Sequence, residues 1–209
     1  HLPGRMHRFL RPGQGQTVRG WRRTTPSQVV HMRRRQRRGP CRRARVVMTP
    51  KSLLRHKLCV STLEDLTHGG FSWVLPEVDE LDEKVKRVVI CSGKIYYEIL
   101  EARRIHRVHD IAILRIEQIY PFPGEQLDKI LSQYTDTNEL IWCQEEPKNQ
   151  GGWDFCKPRF ARLYENKQQP EIIFAGRPPS AAPSVGSAVI HAKQQHRLIA
   201  EALGLPVEE

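Results

Sequence analysis

No aspartate or glutamate occurs before Glu64, and no run of eighteen apolar residues occurs anywhere. The second absence leaves nothing to span a bilayer as a helix. Residues 1–23 contain no apolar core of the kind a secretory signal carries, so none is expected. The five cysteines, Cys41, Cys59, Cys91, Cys143 and Cys156, show neither a Cys-x-x-Cys spacing nor a pattern with histidine that suits zinc. Scattered through apolar segments, they fit buried thiols in a reducing compartment. The formal charge of +11 is concentrated at one end: residues 1–57 hold 17 of the 34 lysines and arginines. The remainder sets 17 cations against all 23 carboxylates, a net charge of −6. An average that would point to nucleic acid therefore belongs to one arm, and the rest is an ordinary acidic globular sequence.

Residues 1–45 are expected to be an irregular, arginine-rich arm, with clusters Arg33-Arg34-Arg35, Arg37-Arg38 and Arg42-Arg43 and few adjacent aliphatics. Two readings fit it: a polybasic arm binding phosphate backbones by counterion release, or scrambled sequence from a gene shifted in frame. Trp21 stands alone there, so base stacking and specific recognition are not expected. Arg45 to Met48 looks like a short strand. Ser61 and Glu64 have capping-box spacing, so a short helix should start there and stop at Gly69-Gly70. Residues 71–84 form an acidic connector expected to run over the surface.

From Lys86 onward the pattern is regular. Val88–Cys91, Ile111–Leu114, Leu140–Cys143 and Glu171–Ala175 are short apolar runs bounded by turn signals, as buried parallel strands are. Amphipathic helices fall between them. Ile95, Ile99 and Ala102 share one face of the first, and Leu127, Ile130, Leu131 and Tyr134 mark the second. A third helix around Trp153 to Tyr164 would kink or restart at Pro158, and a last one ends at Gly204. Alternating strands and helices predict a three-layer α/β fold around a mostly parallel sheet. The expected divisions are a basic arm over 1–45, a connector over 46–84 and the α/β unit over 85–209.

In such sheets the carboxyl ends of the strands carry the working polar groups, which draws attention to NELIWCQEEPKNQGGW, Asn138 to Trp153. Glu145 and Glu146 could be an acid–base pair, or could anchor an interface or loop. Arg115 and Glu117 alternate on a strand and fit a structural ion pair. Arg177 could bind an anionic ligand, meet a neighbouring chain's carboxylate, or lie in solvent. Lys51 and Arg55 beside Ser52 could hold a phosphate or an acyl-CoA regulator. His191 and His196 lack a partner at ligand spacing and are expected at the surface.

Five motifs carry a resemblance: VVMTPKSLLRH (Val46 to His56), CSGKIYY (Cys91 to Tyr97), RIEQIYPFP (Arg115 to Pro123), WCQEEPKNQGGW (Trp142 to Trp153) and AGRPPSAAPSVG (Ala175 to Gly186). They resemble the C-terminal part of the thiamine-diphosphate-dependent, decarboxylating component of 2-oxoglutarate dehydrogenase, over roughly residues 46–204. The resemblance implies a transketolase-type C-terminal domain that buttresses the cofactor-binding domains and supplies homodimer surface. It implies thiamine diphosphate and Mg²⁺ in the complete enzyme, with none bound by this chain alone, because no Gly-Asp-Gly metal motif is present. His1, with Arg5, Arg8, Phe9 and Leu10, falls in step with a family motif whose histidine lies in the active site, so His1 is the one candidate catalytic residue. Partners would be a second copy and the succinyltransferase and lipoamide dehydrogenase components. The location would be cytoplasmic in a bacterium and the mitochondrial matrix in a eukaryote. Two further possibilities are a nucleic-acid-binding protein using the basic arm, and a non-catalytic regulatory partner of the complex.

Overall fold

The computed structural model describes residues 20–21, 24–38, 50–164 and 170–206. His1 and the expected strand over 45–48 lie outside the described residues. The four apolar runs become parallel strands β3 (Arg87–Cys91), β4 (Ile111–Ile116), β6 (Glu139–Pro147) and β7 (Ile172–Arg177). They are joined by β2 (Val74–Leu75) in the order β2-β4-β3-β6-β7, with β2 antiparallel to β4. Two further short strands, β1 (Gly20–Trp21) and β5 (Gln118–Tyr120), pair antiparallel.

Alternation along the strands sorts the core into two faces. Val88 and Ile90 of β3, with Leu140 and Trp142 of β6, pack against α4 (Gly124–Leu131) and α5 (Trp153–Tyr164) through Leu127, Leu131, Cys156 and Phe160. Val89, Cys91, Ile141 and Cys143 face α3 (Ile95–Ile105) and α6 (Ala188–Leu203) through Ile95, Ile99, Leu198 and Leu203. The fold is therefore α/β with a mostly parallel five-stranded sheet between two helical layers. Helix α5 runs continuously through Pro158. The four described cysteines are free thiols, and burial pushes Cys91 up to about 12.

Two expectations change upstream of the sheet. The stretch read as an irregular arm contains α1 (Pro26–Arg38). Its proline occupies the first turn, where a missing N–H costs nothing, and Arg35, Arg37 and Arg38 occupy the last turn, where cations suit the dipole. The buried residues Gln28, His31 and Met32 have helical spacing, but two of the three are polar, so no apolar periodicity announces the helix. The two polar ones bond across the chain. Gln28 exchanges hydrogen bonds with the backbone of Ser72 at 2.9 and 3.1 Å, and His31 Nε2 lies 2.7 Å from the Asp65 carbonyl. A 3₁₀ helix (Lys51–Arg55) and α2 (Leu63–Thr67) follow. The capping box of α2 is Thr62 with Asp65, one residue later than expected. Ser61, the alternative cap, instead accepts from the Ser27 N–H at 3.1 Å. The connector over 71–84 also does more than cross the surface, because it carries β2 and the buried Val74.

Helix α6 ends at Gly204 with φ 63°, and a Cβ there would lie 2.7 Å from the Arg87 guanidinium. That guanidinium donates to the carbonyls of Glu201 and Ala202 at 3.2 Å each and pairs with Glu139. Gly204→Ala combines left-handed strain with displacement of this staple. It should lower unfolding free energy by about 1–2 kcal/mol from the backbone cost alone, read as a shifted urea midpoint.

Candidate functional site

Loops after β3 and β6 lead to opposite halves of the sheet, so the crevice between their carboxyl ends is the topological switch point where α/β proteins place ligands. Here that crevice is filled by the protein's own charges. Lys94, just past β3, forms an ion pair with Glu145 of β6, and a second at 3.2 Å with Glu98 one helical turn along α3. Gln195 of α6 reaches in from above and donates to Glu98 at 2.8 Å and Glu145 at 3.2 Å. Its amide oxygen accepts from Arg177 Nη2 at 2.8 Å, and the same nitrogen lies 3.1 Å from His191 Nδ1. Burial lowers the Lys94 pKa, but hydrogen bonding and attraction from Glu145 and then Glu98 outweigh it, so the ammonium ends above its ordinary value. Two cations and two carboxylates thus close on one another through one glutamine.

The sequence-predicted residues separate accordingly. Glu145 and Arg177 enter one network, and Arg177 is buried rather than solvated. Glu146, the next residue in β6, lends its carbonyl to the Gln144 amide at 3.1 Å. Lys51 and Arg55 lie on the exposed 3₁₀ helix, which has no buried residue. His196 is exposed, whereas His191 is half-buried against Arg177, contrary to the expected surface position. Missed altogether were Lys94, Glu98 and Gln195. The spacing of four between Lys94 and Glu98, and again between His191 and Gln195, was the available signal.

A second buried cluster sits at the end of β4. Glu117 is fully buried and accepts from the Thr24 backbone N–H at 2.9 and 3.1 Å and from the Thr24 hydroxyl. Arg115 Nη1 donates to the same hydroxyl at 3.2 Å, with its guanidinium 4.0 Å from the Tyr96 ring centre. The Thr24 carbonyl accepts from Tyr97 and, at 3.0 Å, from Cys59. Arg115 and Glu117 therefore act together through Thr24, clamping the start of α1 to the sheet.

Neither cluster fits a magnesium diphosphate. Among the described residues no group of three or more His, Cys, Asp and Glu side chains could hold a metal ion. The carboxylates at the switch point are already engaged by Lys94 and Gln195. The arrangement defines an α/β module with internally neutralised sheet ends.

Residues 60–203 match the family described as 2-oxoglutarate dehydrogenase C-terminal, and the chain belongs to that family. It is 48% identical over 205 residues to the 2-oxoglutarate dehydrogenase E1 component of Azotobacter vinelandii, covering 97% of this chain and 22% of that protein. The corresponding protein of Haemophilus influenzae is 47% identical over 204 residues, with the same two coverages. That of Coxiella burnetii is 42% identical over 206 residues, again with 97% and 22% covered. The chain thus spans about one fifth of the length of these relatives. Alignment over 97% of the chain takes in most of residues 1–45 as well. Among solved structures, a split-gene transketolase described as an inactive β4 tetramer superposes with a TM-score of 0.43 at 13% identity, over 59% of this chain and 41% of that one. No described helix is long and apolar enough to cross a membrane.

Proposed function

We propose that this chain acts as the C-terminal module of a 2-oxoglutarate dehydrogenase E1 component in the bacterial cytoplasm. The oxidative decarboxylation of 2-oxoglutarate, with its thiamine diphosphate and Mg²⁺, belongs to the remainder of the subunit. The module contributes a rigid sheet and contact surface, within a homodimer that serves the succinyltransferase and lipoamide dehydrogenase components. The observation that carries this reading is the near-complete alignment of the chain to one fifth of each relative. The charge network is consistent with it, since Glu145 Oε1 is taken by both Lys94 and Gln195. Arg177 and Glu145 then serve to hold α6 and α3 at the strand ends, and Lys51 and Arg55 remain the exposed cations able to meet an anion. Incubating the 209-residue chain with 2-oxoglutarate, thiamine diphosphate, Mg²⁺ and ferricyanide should give no reduction of the acceptor. Turnover above the protein-free rate would overturn the proposal.

A further inference from the structure

The edge of the sheet at β4 is finished by side chains where a strand would be expected. Strand β2 pairs antiparallel with β4, with Leu75 opposite Arg115, and continuing that register sets position 77 opposite Ile113. Pro76 ends the pairing, since it has no N–H to give, and β2 stops at Leu75. The main chain of the connector rejoins this edge further on, where the Asp82 N–H donates to the His109 carbonyl at 3.0 Å. Between those two points the Glu77 carboxylate accepts from the Ile113 N–H at 2.7 Å, and the Arg103 guanidinium donates to the Ile111 carbonyl at 2.7 Å. The two side chains are themselves paired at 2.6 and 2.9 Å. One ion pair thus supplies the acceptor and the donor that an edge strand would bring.

The strand beneath this pair gives it a purpose. Residues 111–114 read IAIL, with no charge and no proline, a composition that pairs readily with its own kind once its edge is open. Alternation turns the main-chain groups of Ile111 and Ile113 outward and those of Ala112 toward Val88 of β3. Two copies meeting antiparallel about Ala112 would set Ile111 of each opposite Ile113 of the other, each N–H facing a carbonyl and no like charges in register. Apart from the Glu77 carboxylate, the connector over this edge is held, among the described residues, by the Asp82 N–H, by Leu81 at the margin of the core and by Asp79. Without Arg103, Asp79 would keep the exposed Arg104, and a surface ion pair adds little. We propose that the Glu77–Arg103 pair is an edge seal, which withholds residues 111–113 of β4 from strand pairing with a second copy of this chain. The seal is independent of the functional reading above, because it concerns only the sheet and its connector.

The test compares two double variants of the 209-residue chain. Glu77→Leu with Arg103→Met clears both sealing groups and strands no buried charge, so the fold should survive. Glu77→Gln with Arg103→Met loses the same ion pair but keeps an amide oxygen for the Ile113 N–H. In sedimentation velocity the first should grow with concentration to about twice the parent's mass, as a twofold contact requires. The second should stay at the parent's mass. In the first variant the Ile113 amide should also exchange more slowly as concentration rises, while the Ala112 amide, turned into β3, should not change. The proposal is overturned if the first variant keeps the parent's mass at every concentration. It is equally overturned if the two variants associate alike, since association would then follow lost stability and not the open edge. The parent chain supplies a reading that no variant has to survive. Its Ile113 amide should exchange within about tenfold of its Ala112 amide, because both are bonded. An Ile113 amide faster by about a hundredfold or more would show that the carboxylate seals nothing.

Discussion

Glu77→Ala should cost about 3–5 kcal/mol of unfolding free energy, the range for removing one partner of a buried ion pair. Arg103 is 1% exposed and projects from α3 under the connector. Its guanidinium grips Glu77 in a two-point contact at 2.6 and 2.9 Å and also donates to Asp79 at 2.8 Å and the Ile111 carbonyl at 2.7 Å. Glu77 in turn accepts from the backbone N–H of Ile113 at 2.7 Å and of Val78 and Asp79 at 2.8 Å each. Deleting the carboxylate leaves the buried Arg103 with only Asp79 and the Ile111 carbonyl, and takes the acceptor from three amides, of which that of Ile113 is part-buried. The double variant Glu77→Ala, Arg103→Met should recover part of the loss, because it removes the unpaired charge as well as the pair. Urea denaturation of the two singles and the double checks this, and an additive result would refute the coupling.

The same latch sets a pH limit. Hydrogen bonding from Arg104 chiefly, and from Arg103 after the opposing effect of burial, holds the Asp79 carboxyl down at about 2. A carboxylate whose folded pKa is depressed adds stability that is present above its unfolded value of about 3.9 and is lost as pH falls through the folded one. Asp79→Asn should therefore flatten the acid limb of the stability profile between about pH 4 and pH 2, and should matter most near neutrality. Both ion partners of Asp79 lie on α3, so the acid transition should first free residues 76–82 from that helix, detectable by limited proteolysis.

What could be read from the residues divides by how local its cause is. The parallel strands were legible because Val88–Cys91 or Leu140–Cys143 is buried on both faces and needs no alternation to be recognised. Gly204 marked the end of α6 for a backbone reason that a single residue states. Helix α1 was hidden because two of its three buried side chains, Gln28 and His31, are polar and spend their hydrogen bonds on Ser72 and Asp65, over thirty residues away. The switch-point network was hidden in the same way. Glu145 and Arg177 drew attention as strand-end charges, but Gln195, which joins them, lies 50 residues beyond Glu145 on a helix whose own pattern is unremarkable. Only the crossing of α6 over the strand ends makes it a hub. Glu77 looked like one acid among several in a connector, and only the depth of Arg103 distinguishes it.

Gln144→Ala should be nearly as damaging, by about 3 kcal/mol or more if each stranded buried group costs about 1–3 kcal/mol, and its consequences should be confined to one corner. The Gln144 amide oxygen accepts from Trp142 Nε1 at 2.9 Å and from the N–H groups of Gly152 and Trp153 at 3.1 Å each. Its amide nitrogen donates to the carbonyls of Glu146, Pro147 and Gln150 at 3.1, 3.1 and 2.7 Å. One side chain thus closes the 144–152 loop and caps the first turn of α5, in the manner a capping residue satisfies orphan donors. Gly151, at φ 72°, has no room for a Cβ, which would meet the Gln144 amide at 2.9 Å. Amide exchange should accelerate at 150–158 and stay slow in β3 and β4. Gln144→Glu separates the acceptor role from the donor role. It keeps the oxygen that caps α5, yet aims a carboxylate at three carbonyl oxygens, which disfavours the charged form and raises its folded pKa. Protonation relieves that clash, so the introduced acid should become less harmful as pH falls toward about 4.3, the ordinary glutamate value, the opposite slope to that set by Asp79. If Gln144→Ala and Gln144→Glu lose stability equally at every pH, the amide nitrogen has no role of its own and the loop is held by its backbone alone.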